Sequence, residues 1–105
     1  GKGDIGQWFP DSDPKYFGAS SLKMLSSMWD ELRPLACIVN LDSVVIAEAP
    51  RIMPHAQKIR ENIAAAMGCL PEQVSVKATT AERLGSLGRG EGIAAFCVAT
   101  LMRRF

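Results

Sequence analysis

The sequence predicts an α/β fold of the α+β layer type, with helices packed on one face of a mainly β sheet, and three observations support it. Two segments repeat apolar residues at helical steps. Three others are strand-like in their alternation or their β-branched content, and proline, glycine and turn residues separate the five into the order helix, strand, helix, strand, strand. At 105 residues, 48% of them hydrophobic, the chain suits one core and is too short for two, so residues 1–105 read as a single domain.

The opening runs from Gly1 through Asp11-Ser12-Asp13-Pro14, and its glycine, proline and small polar residues read as loop and turns. Ser20 and Ser21 are candidate N-caps for a helix whose Leu22, Leu25, Met28, Trp29 and Leu32 share one face and which ends before Pro34. From Leu35 to Ala47, Leu35, Cys37, Val39 and Leu41 alternate against Ala36, Ile38, Asn40 and Asp42, as in a long strand buried on one side. Ala49-Pro50-Arg51 breaks that strand. After Pro54 a second helix carries Ile59, Ile63 and Met67 at four-residue steps and stops at Gly68, a suitable C′ residue, with Gln57, Lys58, Glu61 and Asn62 facing away. Pro71-Glu72-Gln73 reads as a short turn, and Val74, Val76 and Ala78 alternate with Ser75 and Lys77 as a second strand. Gly85, Gly88, Gly90 and Gly92 follow in what reads as a loop. Ile93 to Met102 fits a buried strand or a helix by periodicity; Ile93, Phe96, Val98 and Thr100 favour the strand.

Twelve basic and eleven acidic residues leave a formal net charge of +1, with no basic block. That balance argues against nucleic acid and against a membrane surface as partners, and in favour of a small molecule or another copy of the chain. Cys37, Cys69 and Cys97 are widely spaced and odd in number, so neither a disulfide framework nor a CxxC metal site follows, and reduced surroundings are expected. The longest apolar run is too short to span a bilayer and no charged-then-apolar leader opens the chain, so a soluble domain is expected.

Four stretches offer chemistry. Asp4-Ile5-Gly6 with Phe9-Pro10-Asp11-Ser12-Asp13-Pro14 places three carboxylates in one surface loop; they suit polyol hydroxyls or a cation, although on the residues alone a solvated turn in which Asp11 and Asp13 cap backbone amides is the more ordinary reading. Ala47-Glu48-Ala49-Pro50-Arg51-Ile52-Met53-Pro54-His55 has an irregular backbone between two prolines. Its amides and carbonyls suit the edge of a base and Arg51 suits a phosphate, or the stretch is only a rigid connection. His55 lacks a second histidine and is a poor zinc candidate. Thr79-Thr80-Ala81-Glu82 offers hydroxyls for phosphate oxygens and a carboxylate for Mg²⁺, or else a capping box at a helix start. The glycine-rich loop from Gly85 to Gly92 lacks the lysine and hydroxyl of a nucleoside-triphosphate loop, and its Arg89 and Glu91 suit a plain surface pair.

Together, in order, Gly3-Asp4-Ile5-Gly6 with Phe9 to Pro14, Ile46 to His55, Val76 to Glu82 and Leu84 to Ala95 resemble the 2-C-methyl-D-erythritol 2,4-cyclodiphosphate synthase family. The resemblance covers the whole chain and implies the C-terminal two-thirds of such a domain. It implies a homotrimer with active sites at subunit boundaries, which cyclises a cytidine-diphosphate-linked methylerythritol 2-phosphate and releases CMP in the non-mevalonate route to isoprenoids. Zn²⁺ and Mg²⁺ or Mn²⁺ would be the cofactors, the zinc ligands lying upstream of the GDIG motif and outside this chain, so that these residues alone are expected not to catalyse the reaction.

By position, the resemblance places Asp4, Ile5 and Gly6 against the methylerythritol phosphate, with Phe9, Pro10, Asp11, Ser12 and Asp13 lining that side. It places Ala47, Glu48, Ala49, Pro50, Arg51, Ile52 and Met53 in the cytosine pocket of the neighbouring subunit, largely through backbone contacts. Thr79, Thr80, Ala81 and Glu82 would face the diphosphate, with Thr80 orienting the α-phosphate as the catalytic residue and Glu82 holding Mg²⁺ or Mn²⁺. Arg89 would lie near substrate or the cavity on the trimer axis, where an isoprenoid diphosphate is a further implied ligand. Ser86 stands where many relatives carry phenylalanine, and Arg51 replaces a frequent lysine. A bacterial cytoplasm, or the stroma of a plastid or apicoplast, is the implied location. The competing reading is a non-catalytic cytidine-nucleotide-binding or assembly module.

Overall fold

A computed structural model describes all residues from Gly1 to Phe105. Four helices, α1 (Ile5–Trp8), α2 (Ser21–Leu32), α3 (Ala56–Met67) and α4 (Gly85–Gly88), accompany three strands, β1 (Ala36–Ile46), β2 (Val74–Thr79) and β3 (Ala94–Arg103). The sheet order is β2-β1-β3. β2 pairs with β1 in parallel, from Leu41 opposite Val74 to Ile46 opposite Thr79, which requires a crossover, and α3 supplies it. β3 returns antiparallel on the other side, with Ile46 opposite Ala94.

The two long helices form where periodicity predicts them. Ser20 stands at the N-cap of α2 without a side-chain hydrogen bond, although its carbonyl accepts the Met24 amide at 3.0 Å. Gly68 ends α3 in the left-handed region at φ 65°, a conformation that costs glycine nothing and lets the Cys69 amide reach the Ala64 carbonyl at 3.0 Å. Ala56, Ala64 and Met67 are buried along α3 and Ile59 and Ile63 pack beside them, with Trp29 from α2 and Ile38, Leu41, Val74 and Val76 from the sheet completing one core. The small alanines let α3 sit close to its neighbours. Arg60 fastens this layer: its guanidinium donates to the Val74 carbonyl at 2.8 Å and the Pro71 carbonyl at 2.9 Å. Cys37, Cys69 and Cys97 are free, and burial pushes the Cys69 thiol up, keeping it protonated at neutral pH.

Three expectations need correction. In β1 the buried residues are Ile38 and Leu41 while Val39 is 45% exposed, because the register with β3 shifts between Ile38 and Asn40. That bulge inserts one residue and returns the following side chains to the opposite faces, breaking simple alternation. β3 is a strand, but not a buried one: Phe96 is 64% and Val98 70% exposed, since it lies at a sheet edge and contributes no residue to the core. The opening segment is not all loop. Asp4 caps α1, accepting the Gly6 amide at 3.0 Å while the Gln7 side chain accepts the Asp4 amide at 3.0 Å, and a 3₁₀ turn at Pro14–Tyr16 follows.

Candidate functional site

Parallel pairing brings the carboxyl ends of β1 and β2 side by side, the position at which α/β sheets bind ligands in the crevice beyond the strands. The Ala47 amide extends the ladder by one bond, to the Thr79 carbonyl at 3.0 Å. The two chains then part. After β1 the backbone passes a cis Ala49–Pro50 bond and the 3₁₀ turn Met53–His55, while the chain after β2 turns sharply beyond Thr80. Between them lies an open cleft of about 140 Å³ lined by Ala47, Glu48, Pro50, Arg51, Ile52, Met53, Ala78, Thr79 and Thr80. Two stretches that sequence could treat only separately thus form two walls of one cleft.

The turn that follows Thr80 is not a capping box. Glu82 and Arg83 take left-handed φ values of 53° and 62°, and the next helix, α4, starts later with Leu84 at its N-cap. Left-handed backbone costs an ordinary residue roughly 1–2 kcal/mol, so consecutive examples mark a turn that its surroundings hold in place. Two contacts hold it. The Thr80 hydroxyl accepts the Glu82 amide at 3.1 Å. Glu48, reaching across from the other wall, accepts the Ala81 amide at 2.8 Å and the Arg83 amide at 3.3 Å through one carboxylate oxygen. The Glu82 carboxylate takes part in none of the side-chain hydrogen bonds or ion pairs and is exposed. An exposed carboxylate two residues after Thr80 has the chemistry of a ligand for a hard divalent cation that takes its other ligands from phosphate and water.

Other expected site residues lie elsewhere. Ile5 and Phe9 line an apolar recess with Met24, Leu25 and Met28 of α2, which shares no lining residue with the cleft. Asp4 and Asp13 are spent on backbone amides, Asp13 accepting that of Lys15 at 3.1 Å, so the turn-capping role applies to both. Phe9 stacks edge-on against Tyr16 at 5.3 Å. Gly6, Pro10, Asp11 and Ser12 stay on that distant segment. Arg89 makes an exposed pair with Glu91 at 2.7 Å and does not line the cleft, and nor do Ala49, Ala81 and Glu82. His55 is exposed, and no three His, Cys, Asp or Glu side chains gather into a cation site. The clamp by Glu48 has no signal in the sequence: resemblance puts Glu48 in a base pocket, and only the fold brings it to amides 33 and 35 residues away.

A model of the YgbB family matches residues 1–102. The chain belongs to the YgbB family. Among its YgbB relatives, the 2-C-methyl-D-erythritol 2,4-cyclodiphosphate synthase of Pelotomaculum thermopropionicum is 50% identical over 100 residues, which cover 94% of this chain and 62% of that protein. The bifunctional enzyme IspD/IspF of Desulforudis audaxviator is 51% identical over 104 residues, 98% of this chain and 26% of that one. The chain therefore spans less than two-thirds of either relative. In three dimensions it superposes on the bifunctional IspDF from Campylobacter jejuni with a TM-score of 0.90 at 36% identity, covering 98% of this chain and 28% of that one. The CDP complex of IspF from Plasmodium falciparum matches at 0.82 and 29% identity, over 97% of this chain and 61% of that one. The helix-and-sheet layer is thus the YgbB arrangement. No helix in it is long and apolar enough to cross a membrane.

Proposed function

We propose that this chain supplies the cytidine- and diphosphate-binding part of a 2-C-methyl-D-erythritol 2,4-cyclodiphosphate synthase, as the C-terminal two-thirds of that domain. The reaction cyclises 4-diphosphocytidyl-2-C-methyl-D-erythritol 2-phosphate: a 2-phosphate oxygen bonds to the β-phosphorus, the bond from that phosphorus to the bridging oxygen breaks, and CMP leaves with the bridging oxygen. The observation that carries this reading is the single cleft that joins Ala47–Met53 to Thr79 and Thr80, in a chain half identical to a synthase of that name and similar in fold to an IspF bound to CDP. Since the substrate brings its own nucleophile, the protein needs positioning and charge neutralisation rather than a catalytic triad.

In this reading the backbone of Ala47 to Met53 meets the cytosine edge and Arg51 faces the phosphates. The Thr79 and Thr80 hydroxyls meet diphosphate oxygens, Thr80 orienting the α-phosphate for displacement. Glu82 would hold Mg²⁺ or Mn²⁺ together with those oxygens, where the cation would neutralise charge on the α- and β-phosphates. Zinc is different. No ligand set for it gathers in this chain, so these residues support no step through zinc, and the family resemblance puts its ligands in upstream sequence.

We assign Asp4, Ile5, Gly6 and Phe9 to Asp13 to the methylerythritol side of a site completed by a second copy, since their own recess shares no residue with the cleft. Self-association into a trimer is supported by β3, whose Phe96, Val98 and Met102 are each more than half exposed on a ten-residue strand. Arg89 is assigned to the axial side of that trimer. Mass measurement of the full-length protein at micromolar concentration is expected to give a trimer; a strict monomer removes the shared-site reading. A cytoplasmic or organelle-stroma location belongs to the same proposal.

Calorimetric titration with CDP tests the site itself. Mg²⁺ is expected to tighten binding, Glu82→Ala to abolish that enhancement, and Thr80→Ala to weaken binding about tenfold, as losing one hydrogen bond to a charged group does. A folded full-length protein indifferent to CDP overturns the proposal, whereas CDP binding with no CMP release from the authentic substrate favours the non-catalytic alternative.

A further inference from the structure

Accepting the synthase reading, we infer that Glu48 is a positioning residue whose carboxylate clamps the left-handed turn at Glu82 and Arg83 and thereby sets where Thr80 and Glu82 meet the diphosphate and its cation. Glu48 leaves the end of β1 and binds the two amides that flank Glu82, Ala81 at 2.8 Å and Arg83 at 3.3 Å. An ionised acceptor makes stronger hydrogen bonds than a neutral one. Bonding the residues on both sides of Glu82 fixes the direction of its side chain more firmly than a single bond would, and the second contact on this turn, from the Thr80 hydroxyl to the Glu82 amide, ties the same geometry to the catalytic threonine.

The clamp also joins the two walls of the cleft. Glu48 belongs to the stretch assigned to the base, and the turn belongs to the stretch assigned to the diphosphate, so a shift of either wall is transmitted to the other through one side chain. Glu48 is only partly buried, and its role need not include touching the cation. Its bonded oxygen is already engaged by two donors.

The test uses the full-length protein with Glu48→Ala, Glu48→Gln and Glu48→Asp. Amide hydrogen exchange at Ala81 and Arg83 reads the clamp directly, and calorimetry with CDP at graded Mg²⁺ reads its consequence. Glu48→Ala is expected to accelerate both exchanges and to weaken Mg²⁺-dependent enhancement of CDP binding by roughly 10- to 100-fold, the usual effect of removing a group that orients a metal-binding side chain. Glu48→Gln keeps an acceptor oxygen at the same reach and is expected to recover most of both losses. Glu48→Asp keeps the charge but withdraws it by one methylene, so it should resemble the alanine variant and serves if that variant does not fold.

Retained Mg²⁺ dependence in the folded alanine or aspartate variant overturns the inference. A glutamine variant that keeps Ala81 and Arg83 protected from exchange yet loses Mg²⁺ dependence as fully as alanine also does so, because an intact clamp without the metal effect means the charge of Glu48 acts directly, as a ligand's would. Failure of the synthase reading looks different: the unaltered protein then ignores CDP and Mg²⁺, while the exchange contrast at Ala81 and Arg83 still reports the clamp.

Discussion

Under the proposed synthase function, Gly88→Ala is expected to lower turnover of the full-length protein by on the order of 10²-fold, the effect of moving a reacting geometry by about an ångström. A Cβ at Gly88 would overlap the Arg83 carbonyl carbon and lie 2.7 Å from the Arg83 Cα and 3.0 Å from its oxygen. Those are backbone atoms, so no rotamer change relieves the clash, and either α4 or the turn before it must shift. Arg83 directly follows Glu82 and its amide is one of the two held by Glu48, which makes displacement of the Glu82 carboxylate the cheapest escape. Overpacking of this kind costs roughly 1–3 kcal/mol in stability, but the core does not include α4, so the protein should still fold. Gly85→Ala is the control. Gly85 has φ +69° with open space around its Cβ position, so alanine there brings backbone strain without a collision and is expected to spare turnover more. Equal kcat values for Gly88→Ala and the unaltered protein would contradict this account.

The layer itself was readable because its signals are local. Periodic apolar residues, Pro34 and Gly68 mark α2 and α3 without knowledge of anything distant, and the structure places both helices there. Val39 was misread because a bulge is a property of two paired strands, visible only once β1 lies beside β3. Burial of β3 was misjudged for a related reason: an apolar strand is the same sequence whether its faces are covered by its own chain or left for another. At the site, the motifs contain every residue that lines the cleft, Ala78 among them although no role falls to it, yet they do not show which motifs share a wall. Thr79 to Glu82, taken alone, reads as a capping box sooner than as a ligand turn until the φ values of Glu82 and Arg83 are seen. The link from Glu48 to that turn depends on parallel pairing of strands separated by a whole crossover helix, which no local window contains.

Trp29→Ala is expected to remove about 3–5 kcal/mol of stability, the usual cost of truncating a buried large aromatic side chain. In a domain whose total is of the order of 5–15 kcal/mol, that is enough to leave the isolated chain partly unfolded at room temperature. Trp29 is 5% exposed and belongs to a core of only eight buried residues, to which α2 contributes no other fully buried member. Without its ring, Leu25 and Leu32 remain to hold α2 from the margin of that core. Trp29→Phe keeps most of the aromatic volume and is expected to lose much less. Denaturant unfolding of the isolated chain and of the full-length protein should separate two contributions. If apolar β3 is covered by other chain or by neighbouring copies, that burial adds stability by mass action and by area, and the same substitution should lower the midpoint of the isolated chain to a greater extent in relative terms. A Trp29→Ala chain as stable as the original would mean that α2 is held chiefly by something other than this core.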